Sequence, residues 1–353
     1  KDFVNTTCPT CGGPAERETD TMDTFLCSNW YYYRYTSPGY DKGPFDPEKI
    51  AYWCPVDLYT GGAEHACMHL LYARFFTKAI RDMGLVSFGE PFKRLFNQGT
   101  IVVQRRKMSK SRGNVITPDP YVAELGADTV RCYLMFVGPW EQGGDWDDSG
   151  ISGIRRWLNR AWDLIQDTVV EPKQKETLAA PPASDSDLAA QVRELRRVTH
   201  KTIRRVTDDI EKFRFNTMVS ALMEFTNQLG RMKDTAVVGT EAWTEAIDTF
   251  LLLLAPAAPH FTEDLWQQLG RPYSIHQQSW PAHDPALAAD EMATIVVQVN
   301  GRVRDKLEVP VDISEEEVKN LALASERVQR FLPDGKARNI IYVPRRLVNI
   351  VTG

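Results

Sequence analysis

A short basic run, Lys107-Met108-Ser109-Lys110-Ser111 with Arg112-Gly113-Asn114 after it, is the feature that most constrains this chain. Lys107 and Lys110 place two ammonium groups on one short loop, and the serines and the glycine keep that loop small and flexible. Such a loop suits a polyphosphate, because lysines are point charges that can follow a leaving pyrophosphate and stabilise it in the transition state. The alternative is a basic surface loop, since most charge runs are simply solvated.

The residues before this lysine loop predict a ligand site at the edge of a parallel sheet. Residues 51–59 alternate like a strand, the run Gly61-Gly62-Ala63-Glu64-His65 forms a turn, and residues 66–83 have a helical pattern. This layout forms ligand sites at the carboxyl edge of parallel sheets, where glycines let the backbone approach a ligand closely. His69 shares a helix face with His65, but no third ligand supports a metal, so we expect a buried, hydrogen-bonded histidine.

The other segments near the loop are predicted from residue type and periodicity. Aromatic residues crowd positions 25–35 and favour a strand that leads into a helix start. Residues 92–103 predict another strand that enters the lysine loop, and residues 121–125 and 127–136 predict helices. Residues 138–150 predict a loop.

Five helices are predicted in the region that follows. They cover residues 153–170, 188–213, 216–232, 241–254 and 261–270, with a linker rich in Pro, Lys, Ala and Ser over residues 171–186. The helix over residues 188–213 has apolar residues on one face and a stripe of cations on the other, with no acid among them. This pattern favours contact with a phosphate backbone over a merely solvated face. The basic stripe consists of Arg193, Arg197, Lys201, Arg204 and Arg205.

The C-terminal residues predict a small ββαββ unit. Residues 294–299 and 303–309 form strands joined by Asn300-Gly301, the strongest two-residue hairpin signal. A capping box at residues 314–317 starts a helix that ends near Phe331, and residues 340–351 form a second hairpin. Its cations are typical of a small nucleic-acid contact domain. The expected contacts are Arg302, Arg304, Arg345 and Arg346.

The six cysteines do not form a disulfide framework. Cys8 and Cys11 form a Cys-x-x-Cys knuckle, which is half of a zinc-ribbon site because zinc takes four ligands. Either this knuckle binds Zn²⁺ with ligands from elsewhere, or it is empty. Cys67 and Cys132 lie in apolar helical patterns and are expected in the core.

The composition is that of an ordinary globular protein, with 43% hydrophobic and 25% charged residues in 353. This length predicts two to four domains. A net charge of −5 argues against a uniformly basic nucleic-acid surface but allows local basic patches. No apolar run is long enough to span a bilayer and no signal peptide pattern opens the chain, so we expect a cytoplasmic protein.

The lysine run matches the lysine signature of class I aminoacyl-tRNA synthetases without a mismatch. Further runs resemble the bacterial leucyl-tRNA synthetase family, and the resemblance covers essentially all of the chain in order. These runs are residues 18–25, 28–32, 61–66, 298–304 and 341–344. Isoleucyl and valyl enzymes share the lysine loop but carry a different motif where this chain has Trp30-Tyr31-Tyr32.

The resemblance implies a reaction in which leucine and ATP, with Mg²⁺, form leucyl-adenylate and pyrophosphate before the leucyl group passes to tRNA(Leu). It implies that leucine contacts Phe25, Tyr31, Tyr59 and His65. It implies that ATP contacts Gly61, Gly62, Glu64, Lys107, Met108 and Lys110, and that catalysis involves Lys107, Ser109, Lys110 and Ser111. The tRNA contacts are then the basic stripe and the four C-terminal arginines.

The resemblance also implies that part of the active site lies elsewhere. In the family, a His-x-Gly-His motif, the first half of the nucleotide fold and the editing domain come N-terminal to the matching region, and that motif does not occur in this sequence. We therefore expect a C-terminal portion that is inactive alone, with the N-terminal half as its partner on the same polypeptide or as a separate subunit. Cys27 and Asn29 depart from the family's usual residues at the pocket rim.

The expected fold class is α/β, the second half of a Rossmann-type catalytic domain, followed by an α-helical bundle and a small α+β domain of ββαββ type. The predicted divisions are a zinc-knuckle-like segment (1–19), the catalytic half with the lysine loop (20–136), a connecting segment with a helical anticodon-binding-type domain (137–290) and a tRNA-contact domain (291–353). Two other functions stay open. One is a non-catalytic tRNA-binding module that keeps the loop, and the other is part of an isoleucyl or valyl enzyme.

Overall fold

The computed structural model describes residues 3–22, 24–170, 184–289, 292–310, 313–332 and 337–352. The chain divides into two compact units. The first unit comprises Lys1–Asp119 and Leu134–Gly150, and the second comprises Pro120–Tyr133 and Ile151–Gly353. Most of the linker predicted over residues 171–186 lies outside the described residues. No helix in the described ranges is long and apolar enough to cross a membrane.

The N-terminal part of the first unit contains a hairpin and two short helices. These are β1 (Asn5–Thr7), β2 (Pro14–Glu16), α1 (Thr24–Ser28) and α2 (Tyr31–Arg34). The strand predicted in residues 25–35 is wrong. Tyr33 of α2 is fully buried, and its hydroxyl lies 2.8 Å from that of Thr77. The strand preference of aromatic residues reflects packing on a half-buried surface, and here a helical core supplies that packing.

The glycine run is positioned by a helix, a strand and a second helix. These are α3 (Pro47–Trp53), β3 (Tyr59–Gly62), a 3-10 turn (Ala63–Cys67) and α4 (His69–Asp82). The strand predicted over residues 51–59 is wrong except at its last residue, because residues 51–53 belong to α3 and β3 begins at Tyr59. Asp46 accepts the backbone N–H of Glu48 at 3.0 Å and Pro47 occupies the first turn, so a capped helix forms instead.

Two small sheets support the lysine loop. Besides β3, these sheets contain β4 (Leu95–Gln98), β5 (Thr100–Val103), β6 (Arg106–Lys107) and β7 (Gly143–Asp145). β3 pairs with β4 in parallel, and β5 lies between antiparallel β6 and parallel β7. The single strand predicted over residues 92–103 is divided at Gly99. A Cβ at Gly99 would overlap the backbone of Gln142 and Gly143. Gly143 begins β7, which lies within residues 138–150, where only a loop is predicted.

Helices make up most of the second unit, as the sequence predicts. They are α5 (Asp119–Leu125), α6 (Ala127–Phe136), α7 (Asp148–Ile165) with a π-helical turn (Gln166–Val170), α8 (Asp185–Glu211), α9 (Phe215–Met232), α10 (Glu241–Leu254) and α11 (Pro259–Gln268). α8 begins with a capping box between Ser184 and Asp187 and packs against α9 and α10. Trp157 of α7 and both Trp243 and Phe250 of α10 are among the largest fully buried side chains in the described part of the chain.

The C-terminal residues form one four-stranded sheet with two helices. The elements are β8 (Met292–Val299), β9 (Arg302–Pro310), α12 (Glu315–Ala324), α13 (Glu326–Gln329), β10 (Asn339–Val343) and β11 (Leu347–Val351). The predicted hairpin is confirmed, with positive φ at both Asn300 (52°) and Gly301 (77°). The capping box is also confirmed, but the single predicted helix is divided at Ser325. The strand order β10-β11-β8-β9 includes a parallel β11–β8 pair that the sequence does not indicate.

Candidate active site

A cavity of about 410 Å³ in the first unit is lined by residues of α1, α2, β3, α4 and β4. All four residues expected to contact leucine lie on it. They are Phe25, Tyr31, Tyr59 and His65. Gly61 and Gly62 line the same cavity, so the structure brings together six of the predicted site residues.

Tyr31, Tyr59 and His69 form a hydrogen-bonded chain along the wall of this cavity. The hydroxyls of Tyr31 and Tyr59 lie 2.7 Å apart, and the Tyr59 hydroxyl lies 2.7 Å from His69 Nε2. The Tyr59 ring also stacks on Phe92, with the ring centroids 3.8 Å apart. Burial raises the pKa of Tyr59, while burial and then the neighbouring His65 lower the pKa of His69. These hydrogen bonds therefore fix the orientations of the Tyr31, Tyr59 and His69 rings without adding a charge at pH 7.

Phe25 and His65 form another side of the cavity. Their rings meet edge to face with centroids 6.2 Å apart, and Phe25 stacks on Tyr72 at 6.3 Å. Ser28 and His69 also line the pocket, although neither is predicted there from the sequence. Helical spacing would have found Ser28, which follows Phe25 by three residues, and His69 lies four residues after His65. The expectation that His69 is buried and hydrogen-bonded is confirmed.

The lysine loop contributes a positive charge next to the glycine run. The carboxylate of Glu64 folds back over Gly62, where a Cβ would overlap it. A hydrogen bond to its own backbone and then the charge of Lys107 lower the pKa of Glu64. The charge of Lys107 therefore acts on Glu64, although the two residues are more than forty positions apart in the chain. Lys107 thus adds positive charge to the field on the glycine side of the cavity.

The loop itself is compact. Its entry is a tight turn in which Gln104 and Arg105 both have positive φ, and the Arg105 N–H donates to Asp145 of β7 at 3.0 Å. Beyond Met108, the hydroxyls of the predicted catalytic residues Ser109 and Ser111 lie 2.8 Å apart. Lys110–Arg112 forms a 3-10 turn that ends at Gly113, whose φ is 65°. The two lysines are exposed on a loop with a defined shape.

The basic stripe of α8 has acidic partners. Arg197 pairs with Glu194 at 2.6 Å, and Arg205 pairs with Glu224 of α9 at 2.5 Å. The prediction of a stripe with no acid among its cations is therefore wrong, because Glu194 lies one turn away and α9 brings Glu224 close. Such exposed pairs stabilise the fold little, and a phosphate can replace the carboxylate. Arg197, Lys201, Arg204 and Arg205 line a groove of about 480 Å³ along α8 and α9.

The C-terminal arginines differ in their surroundings. Arg304 lies over the ring of Phe331, with its guanidinium carbon 3.6 Å from the ring centroid. Arg302, Arg345 and Arg346 are exposed. A role for these arginines in binding tRNA stays a prediction.

The cysteines give little support to a metal site. Cys8 is half-buried and Cys11 is exposed, and backbone hydrogen bonds at Cys11 and Thr10 lower the pKa of the Cys8 thiol. Within the described ranges, no group of three or more His, Cys, Asp or Glu side chains could hold a metal ion. Two thiolates do not satisfy zinc, so we derive no role for it. Cys132 is buried as predicted, but Cys67 is exposed because it lies in the 3-10 turn before α4.

Two family models match the chain. Residues 7–145 match tRNA synthetases class I (I, L, M and V), and residues 192–319 match the anticodon-binding domain of tRNA ligase. The protein therefore contains class I synthetase catalytic and anticodon-binding domains with helical and mixed-sheet content.

Similar sequences narrow this class. The chain is 60% identical over 349 residues to the leucine–tRNA ligase of Dehalococcoides mccartyi and 53% identical over 351 residues to that of Rubrobacter xylanophilus. These matches cover 99% of this chain and 41% of each relative, so the chain spans well under half of their length. The chain is thus similar to leucine–tRNA ligases over almost its whole length, which confirms the resemblance found in the sequence.

Solved structures agree with this assignment. The crystal structure of the ternary complex of Agrobacterium radiobacter LeuRS, tRNA and LeuAMS matches 100% of this chain and 45% of that chain, with a TM-score of 0.82 and 37% identity. Mycobacterium tuberculosis methionyl-tRNA synthetase in complex with methionyl-adenylate matches 76% of this chain and 52% of that chain, with a TM-score of 0.53 and 18% identity. The second likeness concerns the fold alone.

Proposed function

We propose that this chain supplies part of the catalytic centre and the tRNA-binding helices of a leucine–tRNA ligase. In the proposed reaction, leucine and MgATP form leucyl-adenylate and pyrophosphate, and the leucyl group then passes to tRNA(Leu). The observation that carries the proposal is the aromatic cavity in the first unit, which is lined by the four predicted leucine contacts and by both glycines of the Gly61-Gly62 run. Its relatives are leucine–tRNA ligases, and such a reaction belongs in the cytoplasm.

The cavity has the chemistry that a leucine side chain requires. A branched apolar group loses water on binding and needs apolar walls of defined shape. Phe25, Tyr31 and Tyr59 provide those walls, and the hydrogen bonds from Tyr59 to Tyr31 and His69 hold two of the rings in place. His65 occupies the rim toward the glycine run. Fixed rings allow the pocket to select by shape, because they do not move aside for a larger side chain.

The glycine run and the lysine loop would receive ATP. Gly61 and Gly62 let the adenosine approach the backbone, and Glu64 would accept hydrogen bonds from the ribose hydroxyls. Attack of the leucine carboxylate on the α-phosphorus forms the mixed anhydride and breaks the bond to pyrophosphate, onto which negative charge moves. Lys107 and Lys110 would stabilise that charge in the transition state.

The proposal also assigns a role to each predicted division of the chain. Residues 20–136 would act as the second half of the Rossmann-type catalytic domain, residues 137–290 as the anticodon-binding-type helices and residues 291–353 as a further tRNA contact. The relatives are more than twice as long as the matched region, so the segment of a relative that precedes it would complete the active site. The groove along α8 and the exposed C-terminal arginines would bind the phosphates of tRNA.

A chimaera tests the catalytic assignment. The chain replaces the matched 349 residues in the D. mccartyi enzyme, and rapid-quench kinetics without tRNA measure leucyl-adenylate formation. Lys107→Ala and Lys110→Ala should each lower this rate by about 10²-fold, the loss seen when one preorganised charge-stabilising donor is removed. Leucine binding should change little. Lys49→Ala, which removes an exposed lysine of α3, is the matched control.

The same assay separates the alternatives. An unchanged rate in the double lysine variant, with a lower and salt-sensitive tRNA affinity, would support a non-catalytic tRNA-binding module instead. Activation of isoleucine or valine in preference to leucine would assign the chain to another class I enzyme. The isolated chain should show no leucine-dependent exchange of pyrophosphate into ATP, and exchange near the rate of the chimaera would contradict the need for a further segment.

A further inference from the structure

One side chain, that of Asn114, joins the two ends of the lysine loop. Its Oδ1 accepts the backbone N–H of Ser109 at 2.9 Å, and its Nδ2 donates to the backbone carbonyl of Lys107 at 3.3 Å. These two groups flank Met108, so one amide holds the backbone on both sides of this residue. The side chain therefore ties the entry of the loop to its exit.

Two backbone hydrogen bonds close the 3-10 turn at the exit of the loop, from the Arg112 N–H to the Ser109 carbonyl at 3.1 Å and from the Gly113 N–H to the Lys110 carbonyl at 3.2 Å, and neither of them reaches back to Lys107. The entry is fixed by the pairing of β5 with β6 and by the hydrogen bond from Arg105 to Asp145. After the 3-10 turn, Gly113 takes a left-handed φ of 65°, which turns the chain so that Asn114 comes back to the start of the loop. Without the amide, the Lys107 carbonyl and the Ser109 N–H would be solvated, and the loop would open about its glycine.

The position of Lys107 matters for the proposed site. Its charge acts on Glu64, whose carboxylate lies over Gly62 at the rim of the cavity. A lysine side chain is long and flexible, so its ammonium group is positioned only as well as its backbone is. Holding the Lys107 carbonyl therefore limits the region that the ammonium group explores before pyrophosphate begins to leave.

We propose that Asn114 is a positioning residue for adenylate formation, because its two hydrogen bonds hold the lysine loop in a closed shape that fixes the backbone of Lys107. This proposal rests on the proposed function for its catalytic consequence. The closed shape of the loop is a property of this chain and can be tested without catalysis. In this role Asn114 acts through the backbone of Lys107 and Ser109.

Limited trypsin digestion tests the clamp in this chain. Trypsin cleaves after Lys107 and Lys110, and the rate follows the population of the open loop when opening is fast. Loss of two hydrogen bonds in Asn114→Ala should raise cleavage at these bonds by about 10-fold. Asn114→Asp keeps the acceptor but loses the donor and should give a smaller increase. Asn320→Ala, an exposed asparagine of α12, is the control.

The melting temperature should stay the same in all variants, since the loop is on the surface. The clamp would be overturned if trypsin cleaved after Lys107 and Lys110 at equal rates in Asn114→Ala and Asn320→Ala, as mapped by mass spectrometry. Cleavage that rises equally in Asn114→Ala and Asn114→Asp would support the clamp and assign it to the bond with Lys107.

The chimaera tests the catalytic consequence. Asn114→Ala should lower the rate of leucyl-adenylate formation by about 10-fold, in proportion to the closed population, with the KM for leucine unchanged. If Lys107→Ala lowers the rate but Asn114→Ala does not, Asn114 has no positioning role. If neither substitution changes the rate, the proposed function fails and the positioning role fails with it, while the trypsin result still decides the clamp.

Discussion

The hydroxyl of Tyr59 is the central atom of the chain from Tyr31 to His69, and its removal gives a defined prediction. Tyr59→Phe takes away one oxygen and both 2.7 Å hydrogen bonds. The ring is retained and can keep its stacking on Phe92 at 3.8 Å. The substitution therefore isolates the polar contribution of the chain from the packing of its rings.

The expected loss follows from the burial of the two partners. A typical hydrogen bond contributes a net 0.5 to 1.5 kcal/mol, so two bonds contribute about 2 kcal/mol. The Tyr31 hydroxyl is only part-buried and can turn to water, whereas His69 is 8% exposed and loses its Nε2 partner. Because His69 Nε2 is then buried without its partner, we expect the free energy of unfolding to fall by about 2 kcal/mol rather than by a value at the lower end of the range.

Urea unfolding of the isolated chain measures this loss, with near-UV circular dichroism as the probe of tyrosine packing. Tyr52→Phe is the matched control, because Tyr52 is 80% exposed and should change the unfolding free energy by less than about 0.5 kcal/mol. Equal effects of the two substitutions would refute the reasoning, since they would show that the Tyr59 hydroxyl is solvated rather than shared. In the chimaera, Tyr59→Phe should also raise the KM for leucine more than that for ATP.

Three further predictions concern pH, backbone packing and tRNA. Burial holds the pKa of His69 below its ordinary value of 6.5, so the unfolded chain binds a proton more readily than the folded chain. The free energy of unfolding should therefore fall as the pH drops through 6.5, and His69→Gln should flatten this decline when it is measured by urea titration. Gly99→Ala should cost roughly 2 kcal/mol or more by urea unfolding because its Cβ meets backbone, whereas Gly39→Ala enters open space and should cost little. Arg204→Gln should reduce the slope of log tRNA affinity against log salt by about 1 in filter binding.

Each of these has a contrary outcome. A pH–stability curve that His69→Gln leaves unchanged would assign the acid sensitivity to other groups. Equal stability of the two alanine variants would mean that the 142–143 backbone moves aside without cost. An unchanged salt slope in Arg204→Gln would place the tRNA phosphates away from the groove of α8.

Short-range patterns in the sequence determined the elements whose stability is local. The lysine run and its terminal glycine predicted a compact loop, since few residue types permit a left-handed turn after two flexible cations. Asn300-Gly301 predicted its hairpin because both positions need positive φ, which these residues adopt readily. The capping box at Ser314 was equally legible, because its two hydrogen bonds lie within four residues. The period of α10 predicted both of its ends.

Tertiary structure decided what those patterns could not contain. The aromatic run around Tyr33 is helical because α4 brings Thr77 to its hydroxyl, and an isolated run of tyrosines cannot show which surface will receive it. The pairing of Glu224 with Arg205 and the parallel pairing of β11 with β8 each depend on a neighbour distant in sequence. The pocket shows the difference most clearly. The sequence indicated Phe25, Tyr31, Tyr59 and His65 only through the family resemblance, because residue type alone does not show that they converge. Their convergence, and the hydrogen bonds of the Tyr59 hydroxyl with Tyr31 and His69, arise only when the helices and strands around the cavity pack together.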